Sequence, residues 1–229
     1  MIPMAQTETN ETPAPRKRGR GADPEKTRAS LVDGAFDSLR RDGFRATTAR
    51  AIATRAACNQ AAIYYHFGGI DELLIEALTQ SSHRRLARYQ DALAGVDDLP
   101  TLLTLLQELY GEDTDSGHMA VLTELAGGVT ANPSLRDGIE QATEGWLEFV
   151  ESKISEVAAA MDLGALAPVA PDLADLLFSL VVGVELRNRI DGRSDRADRL
   201  FRLGQLATML ASQSFGNPAA KQGGASAKG

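Results

Sequence analysis

The residues best suited to chemistry lie in a short run around a Tyr-Tyr-His triplet at 64–66. At about 100° per residue on a helix, Ile63 and Phe67 fall on one side, where they can pack on a core. The opposite side presents alanine and tyrosine, with Gln60 at its start. Alanine allows close backbone approach, and polar tips can hydrogen-bond to phosphate oxygens or base edges. This pattern indicates nucleic-acid recognition.

Two short helices must position these residues. A threonine at 47 or 48 can cap the first helix, whose inward residues include Ile52 and Ala53. The segment Ala57-Cys58-Asn59 breaks the pattern, and Asn59 can cap a second helix that ends near Gly68. Two helices joined by so tight a turn predict a helix-turn-helix, whose second helix lies in the DNA major groove.

At these residues the chain resembles the TetR family of bacterial one-component transcriptional regulators, over about residues 25–75. The residues that carry the resemblance are Thr47, Thr48, Ile52, Ala53, Ala56, Asn59, Ile63, Tyr64, His66, Phe67 and Leu73. The resemblance implies a homodimer with a three-helix DNA-binding domain. It also implies a helical body that holds a small-molecule effector, and a repressor more often than an activator.

Three positions depart from the family pattern. Ala57 stands where the family commonly has glycine, so the turn is predicted to be strained if it needs a positive φ. Cys58 replaces a small aliphatic residue. Ile70 replaces a lysine that many members have, which removes one expected phosphate contact but leaves the fold.

The residues predicted to contact DNA lie on the outward side of the helix pair or in a basic arm before it. Gln60 can read an adenine edge, whereas Ala61 can only touch a thymine methyl. In the arm, Arg18 and Arg20 suit a narrow minor groove or phosphates, and the alternative is a solvated tail. The complete predicted set is Arg45, Thr47, Thr48, Asn59, Gln60, Ala61, Tyr64, Tyr65, His66, Arg18 and Arg20.

Charge and composition agree with such a protein. The net charge of −7 divides unevenly: residues 1–95 hold 14 Lys/Arg and 11 Asp/Glu, and the remainder holds 10 and 20. A basic front on an acidic body orients a protein on DNA. A single cysteine excludes an internal disulfide and fits a reducing compartment. Neither an apolar signal segment nor a membrane span is expected, which predicts a soluble cytoplasmic protein.

Helical spacing throughout predicts an all-α fold. The predicted parts are a disordered basic arm (1–22), a helix-turn-helix domain (23–69), a helical ligand-binding and dimerisation body (70–212) and a disordered tail (213–229). A linking helix is expected from Ile70 to Leu93, and an acidic loop at 111–117. A long helix is expected to begin at Asn132-Pro133 and to end at Gly164.

The last two predicted helices are apolar on more than one side, so a two-fold pairing of them is the predicted dimer interface. Its predicted residues are Leu176, Leu180, Gly183, Val184, Leu203, Ala207 and Leu210. Aromatic and apolar residues of the body are by default core, and the resemblance implies that some of them line an effector pocket. The predicted lining is Tyr110, Met119, Leu122, Trp146, Phe149, Phe178 and Val182.

Enzyme motifs are absent from the sequence, so no catalytic residue, cofactor or metal is predicted. Cys58 lies in the helix-turn-helix, where a small buried hydrophobe is the simpler interpretation. The three histidines are widely separated, and Asp115-x-x-His118 is isolated. The sequence therefore predicts a ligand-responsive DNA-binding regulator, most simply a repressor released by a hydrophobic or amphipathic effector. An activator, a metal- or redox-sensing regulator and a DNA binder without a ligand are the alternatives.

Overall fold

The computed structural model describes residues 23–215, so the basic arm with Arg18 and Arg20 lies outside it. Within this range the chain contains α-helices and two short 3-10 turns (Phe44–Ala46 and Gly164–Val169) and no strand, which confirms the all-α prediction. The helices are α1 (Pro24–Asp42), α2 (Ala49–Arg55), α3 (Gln60–Phe67), α4 (Ile70–Ala92), α5 (Leu99–Ser116), α6 (His118–Gly128), α7 (Leu135–Ala160), α8 (Ala170–Asp191) and α9 (Arg196–Phe215).

The first three helices begin and end where local signals place them. Asp23 caps α1 by accepting from the Glu25 N–H at 3.1 Å, and Gly43 ends it with φ 79°. Thr48 caps α2, and Asn59 caps α3 by accepting from the Ala61 N–H at 2.9 Å. Each boundary depends on residues within one turn, so the sequence was sufficient to predict it.

The turn between α2 and α3 is strained at Ala57. Its φ is +52°, in the left-handed region that disfavours a side chain. The turn is held by Cys58, whose N–H donates to the Ala53 carbonyl at 2.9 Å. The predicted strain at this departure from the family pattern is therefore present.

The acidic loop predicted at 111–117 is wrong, because α5 continues through it to Ser116. The reason is a tertiary contact: Asp113 is fully buried and accepts from Arg85, Arg88 and Tyr89 of α4. These bonds hold the segment in a helix despite Gly111, and Gly117 ends it with φ 81°.

Helix ends in the last part of the chain also differ from the prediction. The helix α7 ends at Ala160, with Asp162 rather than Gly164 at positive φ (61°). The second 3-10 turn follows and leads into α8. The helix α9 continues to Phe215, into the predicted tail.

One hydrophobic core extends from the first helices into the body. It joins Leu31 of α1, Ile63 of α3 and Leu74 of α4 to Leu125 of α6 and Leu135 at the start of α7, each at most 2% exposed. A second cluster around Tyr89, Leu102 and Val157 lies at the far end of α4. The helix-turn-helix is therefore built onto the body through shared core residues.

Candidate nucleic-acid interface and ligand cavity

The outward side of α3 carries two exposed tyrosines. Tyr65 is 82% exposed and Tyr64 58%, whereas Ile63 is fully buried and anchors the helix. His66 is half-buried, and its ring makes an edge contact with Tyr65 at 4.9 Å between centroids. Large aromatic rings are rarely left in water without a partner. This surface is therefore suited to bind a partner through hydroxyl and ring contacts.

The predicted contact residues that flank this surface differ in exposure. Five of them are exposed: Arg45, Thr48, Asn59, Gln60 and Ala61. Thr47 is buried, and its hydroxyl donates to the Gly43 carbonyl at 2.8 Å. That hydroxyl supports the fold, and the predicted contact of Thr47 with DNA stays a prediction.

Arg50 is an exposed residue that the sequence prediction missed. It lies in the first turn of α2, two residues after the Thr48 cap. A cation at a helix N-terminus opposes the helix dipole at a cost of about 0.3–1 kcal/mol. An arginine at this unfavourable position could have been recognised from the sequence as a candidate DNA contact. Arg50 and Arg45 together give this end of the molecule positive charge beside the α3 tyrosines.

The body contains an apolar cavity of about 260 Å³ with residues of α4 to α9 in its lining. Four of the predicted pocket residues line it: Tyr110, Met119, Trp146 and Phe178. The other three do not line it: Leu122 and Val182 pack in the main core, and Phe149 packs in the second cluster. Arg85 of α4 and Phe201 of α9 line the cavity and were missed.

A buried polar cluster lies at one side of this cavity. The Arg85 guanidinium lies 3.4 Å from the centre of the Trp146 ring and 4.8 Å from that of Tyr89. Asp113 accepts from Arg85, from Arg88, and from the Tyr89 hydroxyl at 2.9 Å. Burial, and secondarily the Asp113 carboxylate, raises the pKa of Tyr89 well above its usual range, so the phenol stays protonated.

His118 lies close to this cluster and is buried. Its Nδ1 lies 2.9 Å from the Ser81 hydroxyl oxygen. Burial, followed by the positive charges of Arg85, Arg88 and Arg84, lowers the pKa of His118 to about 3. The imidazole is therefore neutral near pH 7. The residues that the structure describes contain no group of three His, Cys, Asp or Glu side chains placed to hold a metal ion.

Two connections join the α3 region to the body. The first is α4, as predicted. The second is α6, whose Glu124 accepts from the Phe44 N–H at 2.8 Å and from Arg189 of α8 at 2.6 Å. Gly128 of α6 lies so close to the Phe44 ring that an added Cβ would be 2.9 Å from it. The segment before α2 is therefore tied to α8 through one carboxylate.

The helices α8 and α9 leave leucines exposed. Leu176 of α8 and Leu203 of α9 are each 62% exposed, so both helices leave apolar surface uncovered within the protomer. Gly183 faces open space. Val184 is only 8% exposed and lines the cavity, as does Leu180. Val184, which was predicted to lie in the dimer interface, thus falls on the inward side of α8. Exposed Ala207 and Leu210 of α9 complete the predicted interface set.

By length and composition alone, one helical segment of the described chain, Gly164–Asp191, is apolar enough to cross a membrane, which the sequence analysis did not expect. Only 11% of its most apolar window is buried in the protomer. Exposed leucines on a helix also suit a contact with another helix. Composition by itself therefore does not identify a membrane segment here.

Comparison with known proteins agrees with this geometry. The family model described as "Bacterial regulatory proteins, tetR family" matches residues 31–77, which span most of α1 and reach into α4. The HTH-type transcriptional regulator UidR of Escherichia coli K12 is 21% identical over 165 residues, covering 69% of this chain and 82% of that protein. The HTH-type nicotine-responsive transcriptional repressor HdnoR of Paenarthrobacter nicotinovorans is 24% identical over 111 residues, covering 48% and 57%.

A solved structure shares the fold over most of the chain. A putative transcriptional regulator from Pseudomonas aeruginosa PAO1 superposes with a TM-score of 0.66 at 18% identity, covering 86% of this chain and 95% of that one. The likeness extends the comparison from the helix-turn-helix to the body helices. The TetR-type helix-turn-helix at the start of the chain, together with these relatives, supports a TetR-family transcriptional regulator.

Proposed function

We propose that this regulator is a cytoplasmic homodimeric repressor that binds a roughly palindromic DNA operator and is released by a small molecule in the body cavity. The observation that carries the proposal is the exposed pair Tyr64 and Tyr65 on a helix capped and anchored as a recognition helix. Neighbouring Gln60 supplies a group that can read a base edge. Arg45 and Arg50 supply charge for phosphates.

Dimerisation is supported by the exposed leucines of α8 and α9. A single helix-turn-helix offers a small footprint, and two bind half-sites about 34–36 Å apart or a multiple of that distance. Pairing Leu176 and Leu203 with their copies in a second protomer removes apolar surface from water. Gly183 allows close approach of the two backbones there.

Release by an effector is supported by the two connections that join the cavity to the recognition helix α3. Arg85 and Tyr89 line the cavity on α4, and the same helix begins beside α3. The second connection passes through Glu124. An effector weakens DNA binding only by its preference for the non-binding form, typically about 1–3 kcal/mol. HdnoR, a nicotine-responsive repressor by name, resembles this chain over part of its length.

A matched pair of histidine variants tests DNA reading. We expect selection from a random duplex pool to recover a roughly palindromic site, which then serves in mobility-shift titrations. His66→Ala, in α3, should weaken binding to that site about tenfold if a hydrogen bond to a charged phosphate is lost. His83→Ala, on the exposed surface of α4, should leave affinity unchanged. Failure to enrich any site, or equal affinities for all three proteins, would contradict the proposal.

Repression is tested separately in cells. A reporter driven by a promoter that overlaps the selected site should fall in expression when the wild-type protein is produced and recover with His66→Ala. A rise in expression instead would identify an activator. Because the two results are opposite in sign, the assay decides the mode of regulation without knowledge of the effector.

A further inference from the structure

We infer that the effector is a small carboxylic acid with an apolar body, whose carboxylate binds the guanidinium of Arg85 inside the cavity. This inference rests on the proposed function, since it names the class of molecule that occupies the proposed effector site. It follows from the size of the cavity, the chemistry of its lining and the position of its one charged side chain.

The cavity sets the size and polarity of the ligand. Its volume is about 260 Å³. At ~30 Å³ per water-sized unit of liquid volume, it accommodates roughly eight to ten non-hydrogen atoms. Leucine, valine and aromatic side chains dominate the lining, among them Leu106, Val150 and Phe201. A ligand that fills this space must therefore be mostly hydrocarbon.

Arg85 supplies the polar contact. Among the described residues that line the cavity, it is the only charged one, and it is 6% exposed. Its bond to Asp113 is made through Nε, and its face is stacked on Trp146. The planar guanidinium is thus held in place through its Nε and through its face, and neither of these two contacts uses its terminal NH groups. That geometry matches the two oxygens of a carboxylate.

The charge around Arg85 favours an anion. Arg85 and Arg88 share the single buried carboxylate of Asp113, and Glu112, the other acidic partner of Arg88, has a side chain that is 58% exposed. The Arg88 side chain is itself 36% exposed, so the buried pair is Arg85 with Asp113. Asp113 divides its two carboxylate oxygens between two guanidinium groups, and it therefore neutralises the charge of Arg85 only in part. The low pKa of His118, caused first by burial and then by the neighbouring arginines, agrees with a positive field on this side of the cavity.

A cationic ligand fits this cavity less well. Aromatic rings often hold ammonium groups by their faces. Here the Trp146 and Tyr89 faces are covered by the guanidinium of Arg85, which acts as an internal cation. An incoming ammonium would lie near that charge in a site with little water, where repulsion is strong. One face of each of these two rings is therefore already occupied by a cation.

Three eight-carbon probes test the inference on the full-length wild-type protein. Octanoate, octanol and octylamine have similar bodies and differ in charge. Each is titrated while the fluorescence of Trp146, the only tryptophan, and thermal unfolding are followed. We expect octanoate to bind about 10- to 100-fold more tightly than octanol, the range for a charge-assisted hydrogen bond, and octylamine to bind most weakly.

A pair of arginine variants locates the carboxylate. Arg85→Gln should bring octanoate and octanol affinities to within about threefold of each other. Arg84→Gln removes the same charge from the exposed neighbouring position and should keep the wild-type preference. If Arg85→Gln does not fold, the relative affinities of the three probes for the wild-type protein still test whether the cavity prefers a carboxylate.

Octanol equal to octanoate, octylamine tightest, or no binding by any probe would each overturn the inference. Mobility shifts on the same samples separate the two proposals. Intact operator binding with no preference for octanoate would refute only the acid effector. Absence of operator binding would refute the proposed function whatever the probes show.

Discussion

The α3 surface and the cavity wall use aromatic residues in opposite ways. On α3, Tyr64 and Tyr65 extend into water from a helix of eight residues held by one cap and one anchor. In the body, Tyr89 is 2% exposed, and the half-buried Trp146 packs edge-on against it at 4.6 Å and against the Arg85 guanidinium. The first arrangement adds little to folding and is free to bind. The second holds charges inside the protein and makes the wall of a site.

The largest effect expected from this contrast is on stability. Asp113→Ala leaves Arg85 buried without its carboxylate, which should lower the free energy of unfolding by about 3–5 kcal/mol. Asp115→Ala, two residues further on the same helix but exposed, should change it by less than about 0.5 kcal/mol. Urea denaturation measures both. Equal values would mean that the buried cluster contributes no more than a surface charge.

The stability of the body should also depend on pH, because His118 is buried there. The pKa of His118 is about 3 in the folded protein, against about 6.5 when unfolded. As pH falls below 6.5, the unfolded chain takes up a proton that the folded protein refuses, so stability is lost. From pH 7 to 5 the loss should be about 2 kcal/mol. His118→Gln should flatten this dependence, whereas His83→Gln should preserve it.

A smaller effect is expected on DNA affinity when an α3 tyrosine is removed. Tyr65→Ala should weaken operator binding by about 1.5 kcal/mol, roughly tenfold, if its hydroxyl donates to a phosphate. Its free energy of unfolding should stay within about 0.5 kcal/mol of wild type because the ring is exposed. A stability loss above about 2 kcal/mol would show that the ring is structural and would break the contrast with the body.

Glu124 allows a test of how the two regions communicate. Glu124→Gln should leave operator affinity unchanged in the absence of effector, but reduce release by effector by about 1 kcal/mol, roughly fivefold. Glu185→Gln is the control, since Glu185 also pairs with Arg189, at 3.2 Å, but is not bonded to Phe44. If effector releases both variants from DNA as it releases the wild type, the coupling between the cavity and the DNA-binding helices must pass through α4 alone.

The smallest expected effect concerns the helix-turn-helix turn. Ala57→Gly removes the strain at φ +52°, but glycine also has more conformational freedom in the unfolded chain, which offsets part of the gain. The net stabilisation should be about 0.5 kcal/mol. Thermal unfolding detects such a change. Gly68→Ala, at φ +84° with open space around it, should act in the opposite direction.

Sequence reasoning succeeded where structure depends on near neighbours. Caps such as Asn59 and the periodic anchor Ile63 lie within one turn of what they determine, so α2 and α3 were predicted correctly. It failed at α5, where a segment that reads as an acidic loop is helical because Asp113 reaches arginines 25 and 28 residues away. No local pattern contains that information.

The cavity shows the same limit. Aromatic type alone selected Trp146 and Phe178 correctly but also selected Phe149, because a core ring and a lining ring look alike in sequence. Arg85 was missed since it stands beside exposed Arg84 and reads as part of a solvated helix face. On α8, a broad apolar stripe did not distinguish exposed Leu176 from buried Val184, a difference that the packing of α8 on its neighbours determines.

The continuous core has a consequence for biosynthesis. Leu31, Ile63 and Leu74 leave the ribosome well before Leu125 and Leu135, which complete their packing. The apolar side chains of the first four helices are therefore expected to stay uncovered until α6 and the start of α7 have been synthesised. A nascent chain that stops after α4 should be cleaved readily by protease, and one that continues through α7 should resist. On this view the recognition helix becomes firmly positioned only once the body has begun to form, which would keep unfinished chains from occupying the operator.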